Sequence, residues 1–194
     1  MKFHYAGKYD GDETKLPQRE HPENYVPFKE PDIKKLSLYA NFGCVFTILF
    51  LAAVVIWRLH DQPQIENIRL QLIVGCVLPT LFLPIHEFLH AIVFKKEVYM
   101  YNNLRQGLMF VVGNEDMSKA RFIIMSLCPN ILLGVIPFIA FLLMPRFVGL
   151  GAFGAISLGM GFGDYINVFN AIKQMPSNAK TYLSGTHSFW YVQK

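Results

Sequence analysis

Two stretches of this chain run for 22 and 24 residues without a single Asp, Glu, Lys or Arg: 36–57 (LSLYANFGCVFTILFLAAVVIW) and 122–145 (FIIMSLCPNILLGVIPFIAFLLMP). At 1.5 Å per helical residue, each is long enough to cross roughly 30 Å of hydrocarbon. Both read as transmembrane helices. Two further runs, 70–94 and 147–172, are nearly as apolar, except that one holds His86, Glu87 and His90 and the other Asp164. The expectation is therefore an all-α polytopic membrane protein with about four transmembrane helices.

The distribution of Lys and Arg gives that expectation a direction. With four spans, the N-terminal tail, the loop after the second span and the C-terminal tail share one side and hold 15 of the 18 Lys and Arg, leaving Arg58, Arg69 and Arg146 opposite. By the positive-inside rule both termini and the 95–121 loop are expected to be cytoplasmic. The formal charge of +4 is accounted for by this asymmetry, and no nucleic-acid partner is needed to explain it. The first apolar run begins after some 35 polar residues and no small-residue cleavage site follows, so no signal peptide is expected. The chain then divides into a tail (1–35), a membrane domain (36–175) and a second tail (176–194).

Outside the spans the signals are local. Asp61-Gln62-Pro63 and Pro145-Arg146 are turn signals. MKFHYAGKY, at the N-terminus, has the character of a short strand. Residues 97–113 (EVYMYNNLRQGLMFVVG) place β-formers on both sides of Asn102-Asn103 and Gly107, which suggests a small cytoplasmic strand pair or re-entrant hairpin, and the C-terminal tail ends in a similar run. Cys44, Cys76 and Cys128 each lie singly in a span without CxxC spacing. They read as packing residues and not as a disulfide or a zinc site. His4, His21, His60 and His187 have no partner at ligand spacing and read as surface or interface residues.

The exception is HEFLH, residues 86–90. On a helix, positions i and i+4 share a face, so His86 and His90 can direct imidazole nitrogens at one ion, with Glu87 beside it as a base toward water. Each charged group at the centre of a span costs roughly 2.5 to 3.5 kcal/mol on insertion scales, so a decorative Glu between two His is disfavoured there. Tetrahedral zinc with one open position needs a third protein ligand. Asp164 is the only acidic residue in the other three runs, and counting places it at the right depth. His86 and His90 lie 9 and 5 residues from Lys95, Asp164 lies 9 from Lys173, and Asn130 lies 9 from Arg121. All four then sit roughly 8 to 14 Å inside the cytoplasmic boundary.

Around this cluster, Pro79 and Pro84 are expected to kink the second span. Asn130, after Pro129, is a candidate donor to a bound peptide or oxyanion, or alternatively to a neighbouring helix. Asn167, three residues beyond Asp164, shares its face and is a candidate partner for it. GMGFGD (159–164) lacks the preceding strand of a nucleotide loop and reads as close packing through Gly159 and Gly163.

HEFLH together with GDYIN resembles the putative zincin peptidase family of small bacterial membrane proteins, and more distantly the site-2 proteases. In the latter, an HExxH on one transmembrane helix and an Asp on a later one hold zinc. The resemblance implies zinc held by His86, His90 and Asp164 with Glu87 catalytic, and SLCPN (126–130) looks like the Gly-Pro-x-x-Asn type segment near that active site. It spans residues 70–175. The Asp here follows Gly163 instead of standing in Asn-Pro-Asp-Gly or Leu-Asp-Gly, and no PDZ domain is present.

The function expected is that of a membrane-embedded zinc metallopeptidase of the HExxH type. It would cleave a membrane or membrane-associated protein, with Zn2+ as cofactor, lipid as surroundings, and Glu87 and Asn130 acting on the substrate. A non-catalytic zinc-binding membrane protein, structural or sensing, is the rival from another class. A channel or transporter would want more intramembrane polar residues than this chain has.

Overall fold

The computed structural model describes residues 1–60, 62, 64–103 and 108–193, with the side chains of all but Ile33 and Leu108. Seven α-helices and seven strands are found among them. In chain order they are β1 (Lys2–Lys8), β2 (Val26–Pro27), α1 (Ile33–Leu59), α2 (Ile68–Leu81), α3 (Leu83–Ala91), β3 (Glu97–Asn103), β4 (Leu108–Val112), β5 (Met117–Ser118), α4 (Lys119–Pro129), α5 (Ile136–Leu143), α6 (Val148–Met160), α7 (Phe162–Gln174), β6 (Ala179–Ser184) and β7 (His187–Val192). A π-helical turn, Asn130–Val135, joins α4 to α5. The turn expected at Asp61-Gln62-Pro63 lies at 61 and 63 outside the described residues, as does Gly107 of the hairpin signal.

The all-α expectation is overturned. The strands form a three-stranded sheet in the order β1-β3-β4 and a four-stranded sheet in the order β2-β7-β6-β5. β1 runs parallel to β3 from Lys2↔Glu97 onward, and β3 pairs antiparallel with β4 from Tyr99↔Val112 to Asn103↔Leu108. The segments with β-former signals thus pair over long sequence separations, in numbers that an all-α reading cannot hold. β6 and β7 form a hairpin closed by Gly185, whose φ of +62° is accessible to glycine at little cost.

The count of four transmembrane helices is overturned too. Among the described residues two helices are long and apolar enough to cross a membrane, Lys34–Leu59 and Lys119–Leu143, or three if the bent pair Ile68–Leu81 and Leu83–Ala91 is one span. The fourth run is broken at Gly161 into two helices of 13 residues each. Hydropathy integrates over a window and does not register such a break.

The chain forms two compact units. The first comprises Met1–Glu30, Glu87–Leu127 and Asn167–Lys194, and the second Pro31–His86 and Cys128–Ile166. The first holds both sheets around a core that includes Phe28, Ala91, Phe94, Val98, Phe122 and Ala171. The second is helical, with Val55, Phe138, Phe141, Val148 and Ala155 at its centre. Small residues let its helices approach. A Cβ on Gly75 would strike the Gly149 carbonyl, and one on Gly149 would stand 2.9 Å from the Gln71 carbonyl. Gly159 packs on Ile48 of α1, whereas Gly163 faces open space, so only the first of that pair serves close packing.

α1 begins at Asp32, whose carboxylate accepts from the Lys35 N–H at 3.0 Å, a side-chain cap on free backbone donors. Its outer face leaves Phe42 75% and Trp57 74% exposed. α2 and α3 meet at Phe82 with a 47° bend. Pro84 explains why the chain restarts there. In the first turn of α3 its missing N–H has no intrahelical acceptor to lose, while the interior of a continuous helix would lose the bond to Thr80. The π turn has a similar origin. Pro137 cannot donate, and the Ile136 N–H reaches back five residues to Ile131.

Candidate metal centre

α3 carries His86, Glu87 and His90 within nine residues. One ligand atom from each of the three lies within 4.8 Å of the other two; His90 is a helical neighbour of His86 at i, i+4 and of Glu87 at i, i+3. Glu87 and His90 are buried, and His86 is nearly so. A carboxylate and two imidazoles packed together in dry surroundings are costly unless a cation is shared among them.

The orientation of His90 follows from α4. Its Nδ1 lies 2.8 Å from the Met125 carbonyl. A carbonyl only accepts, so Nδ1 carries the proton in this contact.

In the second unit, His86 Nε2 stands 3.3 Å from Asp164 Oδ2. Two donors on one tetrahedral zinc, each at about 2.0–2.1 Å, are separated by roughly 3.3 Å. The spacing fits, and so does the donor chemistry, since neutral imidazole and carboxylate are ordinary zinc ligands. Asp164 lies in the first turn of α7. Its Oδ2 also accepts from Asn130 Nδ2 at 2.7 Å.

Asn130 is 2% exposed and opens the π turn after Pro129. Its amide reaches Asp164 past Gly161, where any Cβ would overlap Asn130 Oδ1. In this structure the candidate donor gives its amide hydrogen to the Asp164 carboxylate. Asn167, the other residue expected beside Asp164, is exposed. The three cysteines are free thiols.

Sequence reasoning missed Glu115 and Arg121. The Glu115 carboxylate accepts from the backbone N–H of Lys95 and Lys96 and from the Arg121 guanidinium, which also donates to the Val93 carbonyl just beyond α3. Their partners are mostly backbone groups, which no residue pattern displays. Gly161 was visible only as one glycine among several.

A family model described as putative zincin peptidase matches residues 79–180, a span that contains α3, Asn130 and Asp164. The chain belongs to that family. No curated protein and no solved structure shows a significant match to it. Family membership points to metallopeptidase chemistry with zinc as the metal.

Proposed function

We propose that this chain is a membrane-embedded zinc metallopeptidase that hydrolyses a peptide bond of a membrane or membrane-associated protein near the cytoplasmic face. The observation that carries the reading is the convergence of donors on α3, with Asp164 at 3.3 Å from His86. His86, His90 and Asp164 would hold the ion. When bound, zinc supplies Lewis acidity, polarising a carbonyl and lowering the pKa of water.

The remaining work falls to the chain. The Met125 carbonyl orients the His90 ring by accepting from Nδ1. Asn130 fixes the Asp164 carboxylate by donating to Oδ2, so its proposed role is positioning. Glu87, buried on the same helix, takes a proton from the attacking water and delivers it to the leaving amine nitrogen.

A helical peptide hides its carbonyls, so the substrate is proposed to be extended. β4 stands at the edge of its sheet and offers backbone groups for strand addition. Membrane embedding is supported by the two long apolar helices and by the exposed rings of α1. The two terminal segments and the 87–127 segment belong to one compact unit that holds 13 of the 18 Lys and Arg, and this concentration, independent of the number of spans, supports a cytoplasmic side for that unit.

The test separates ligand from base. Asp164→Asn should lose zinc, measured per purified protein by elemental analysis, because a neutral amide is a weak ligand. Glu87→Gln should keep zinc and lose cleavage, read by proteomic comparison of membranes carrying the native chain or the variant. Native-level zinc in Asp164→Asn would remove that residue from the ligand set. If the Glu87→Gln and native proteomes are indistinguishable, the chain is a non-catalytic zinc protein instead.

A further inference from the structure

We propose that Glu115 and Arg121 form a bracket that positions the last turn of the HExxH helix and thereby sets metal affinity. The proposal rests on the zinc reading above. α3 ends at Ala91, and helix ends leave carbonyls without intrahelical partners. Val93 N–H returns to the His90 carbonyl at 3.3 Å, and Phe94 N–H to Ala91 at 2.9 Å. The Val93 carbonyl then takes Arg121 Nε at 3.0 Å together with Nη2.

Glu115 closes the other side. Its side chain is only 3% exposed and that of Arg121 20%. The carboxylate accepts the Lys95 N–H at 3.0 Å on both oxygens, the Lys96 N–H on Oε2, and Arg121 Nη2 on Oε1. Every residue from Val93 to Lys96 thus contributes a backbone group to a hydrogen bond that anchors the exit of α3.

The link to the metal runs through α4. Arg121 and Met125 are four residues apart and share a face of that helix. Arg121 grips Val93, and the Met125 carbonyl grips His90 Nδ1. α4 therefore holds the end of α3 at two points, one of which is a proposed ligand. A buried ion pair is a poor source of net stability, because desolvation offsets its attraction. What the guanidinium fork supplies is geometry, spanning a carbonyl and a carboxylate at once, which the single point of a Lys ammonium does not reproduce.

The experiment uses the full chain in detergent. Zinc dissociation constants are measured by chelator competition for the native protein, Arg121→Lys, Glu115→Gln and the double variant. Each single change should weaken zinc about 10-fold, within the range known for residues behind metal ligands. The double variant should lose no more than either single one, since the pair acts as a unit. Thr181→Ala is the control for general destabilisation. It removes a buried hydroxyl that donates to the Phe189 carbonyl at 2.9 Å, and should lower Tm while leaving zinc affinity unchanged.

Bracket variants that lower Tm yet bind zinc as the native chain does would overturn the proposal. If the native chain itself binds no zinc, the metal reading fails, and hydrogen exchange then decides whether the bracket exists. Faster exchange at the amides of residues 88–96 in Glu115→Gln, with α6 unchanged, would support it; unchanged exchange at Lys95 and Lys96 would overturn it.

Discussion

Asn130 and Asp164 lie 34 positions apart in sequence and are joined by a hydrogen bond of 2.7 Å, amide to carboxylate, beside Gly161, where a Cβ would overlap Asn130 Oδ1. The carboxylate proposed to bind metal is held by the amide of a buried side chain.

Asn130→Ala should therefore weaken zinc by about 10- to 100-fold, the usual effect of removing a group that orients a metal ligand. Chelator competition measures it. Asn130→Asp should be at least as damaging, because it sets a second carboxylate against Asp164 where a donor stood. Native affinity in both variants would show that Asp164 does not depend on this bond.

Gly161→Ala and Gly163→Ala form a matched pair. A Cβ at 161 overlaps Asn130 Oδ1, while a Cβ at 163 meets nothing within 4 Å. The first should cost about 1–3 kcal/mol of stability, as overpacking generally does, and lower zinc affinity by displacing Asn130. The second should change neither. Thermal unfolding and metal content of the two proteins, side by side, give the answer.

Glu30 supplies a pH test away from the site. Burial pushes its carboxyl above the ordinary glutamate range, and the charge of His187 only partly opposes this. Over the window between the unfolded and folded values, the folded chain keeps a proton that the unfolded chain has lost, so this group's contribution to stability falls as pH rises. Glu30→Gln should thus have a higher Tm than the native chain at neutral pH, and the advantage should vanish on acidification below the unfolded value. An advantage independent of pH would point to packing instead.

The proposed orientation is testable by labelling. In a chain whose Cys44, Cys76 and Cys128 are replaced by Ala or Ser, with zinc content expected to be unchanged, a cysteine at Gln62 should react with an impermeant reagent from outside and one at Asn103 should not. The reverse pattern would invert the topology.

Much of the site could be read from residue types alone. HEFLH displays its chemistry through spacing that any helix converts into a shared face, and depth counting picked out Asp164 and Asn130 because both are polar residues in apolar runs. What depth could not reveal was that the Asn130 amide meets the Asp164 carboxylate, since that depends on how the helices turn. The two long apolar helices were legible because a run without charges has few alternatives, and β1, β3 and β4 were suggested by their β-formers. The number of strands was not legible, because β1 pairs with β3 across some 95 positions. Arg121 looked like a charge marking the edge of a span, and nothing local connects it to the Val93 carbonyl.

The break at Gly161 also changes the electrical setting of Asp164. In one continuous helix from 148 to 174 this carboxylate would stand mid-helix, surrounded by backbone groups already paired along the axis. With α7 starting at Phe162, Asp164 occupies the first turn instead. There the aligned peptide units present a partial positive charge, which favours an anion by about 0.3–1 kcal/mol near a surface and more where water is scarce. A residue chosen for having no side chain thus creates a helix beginning where the negative group is needed, and part of the cost of keeping that charge among apolar helices is met by the backbone.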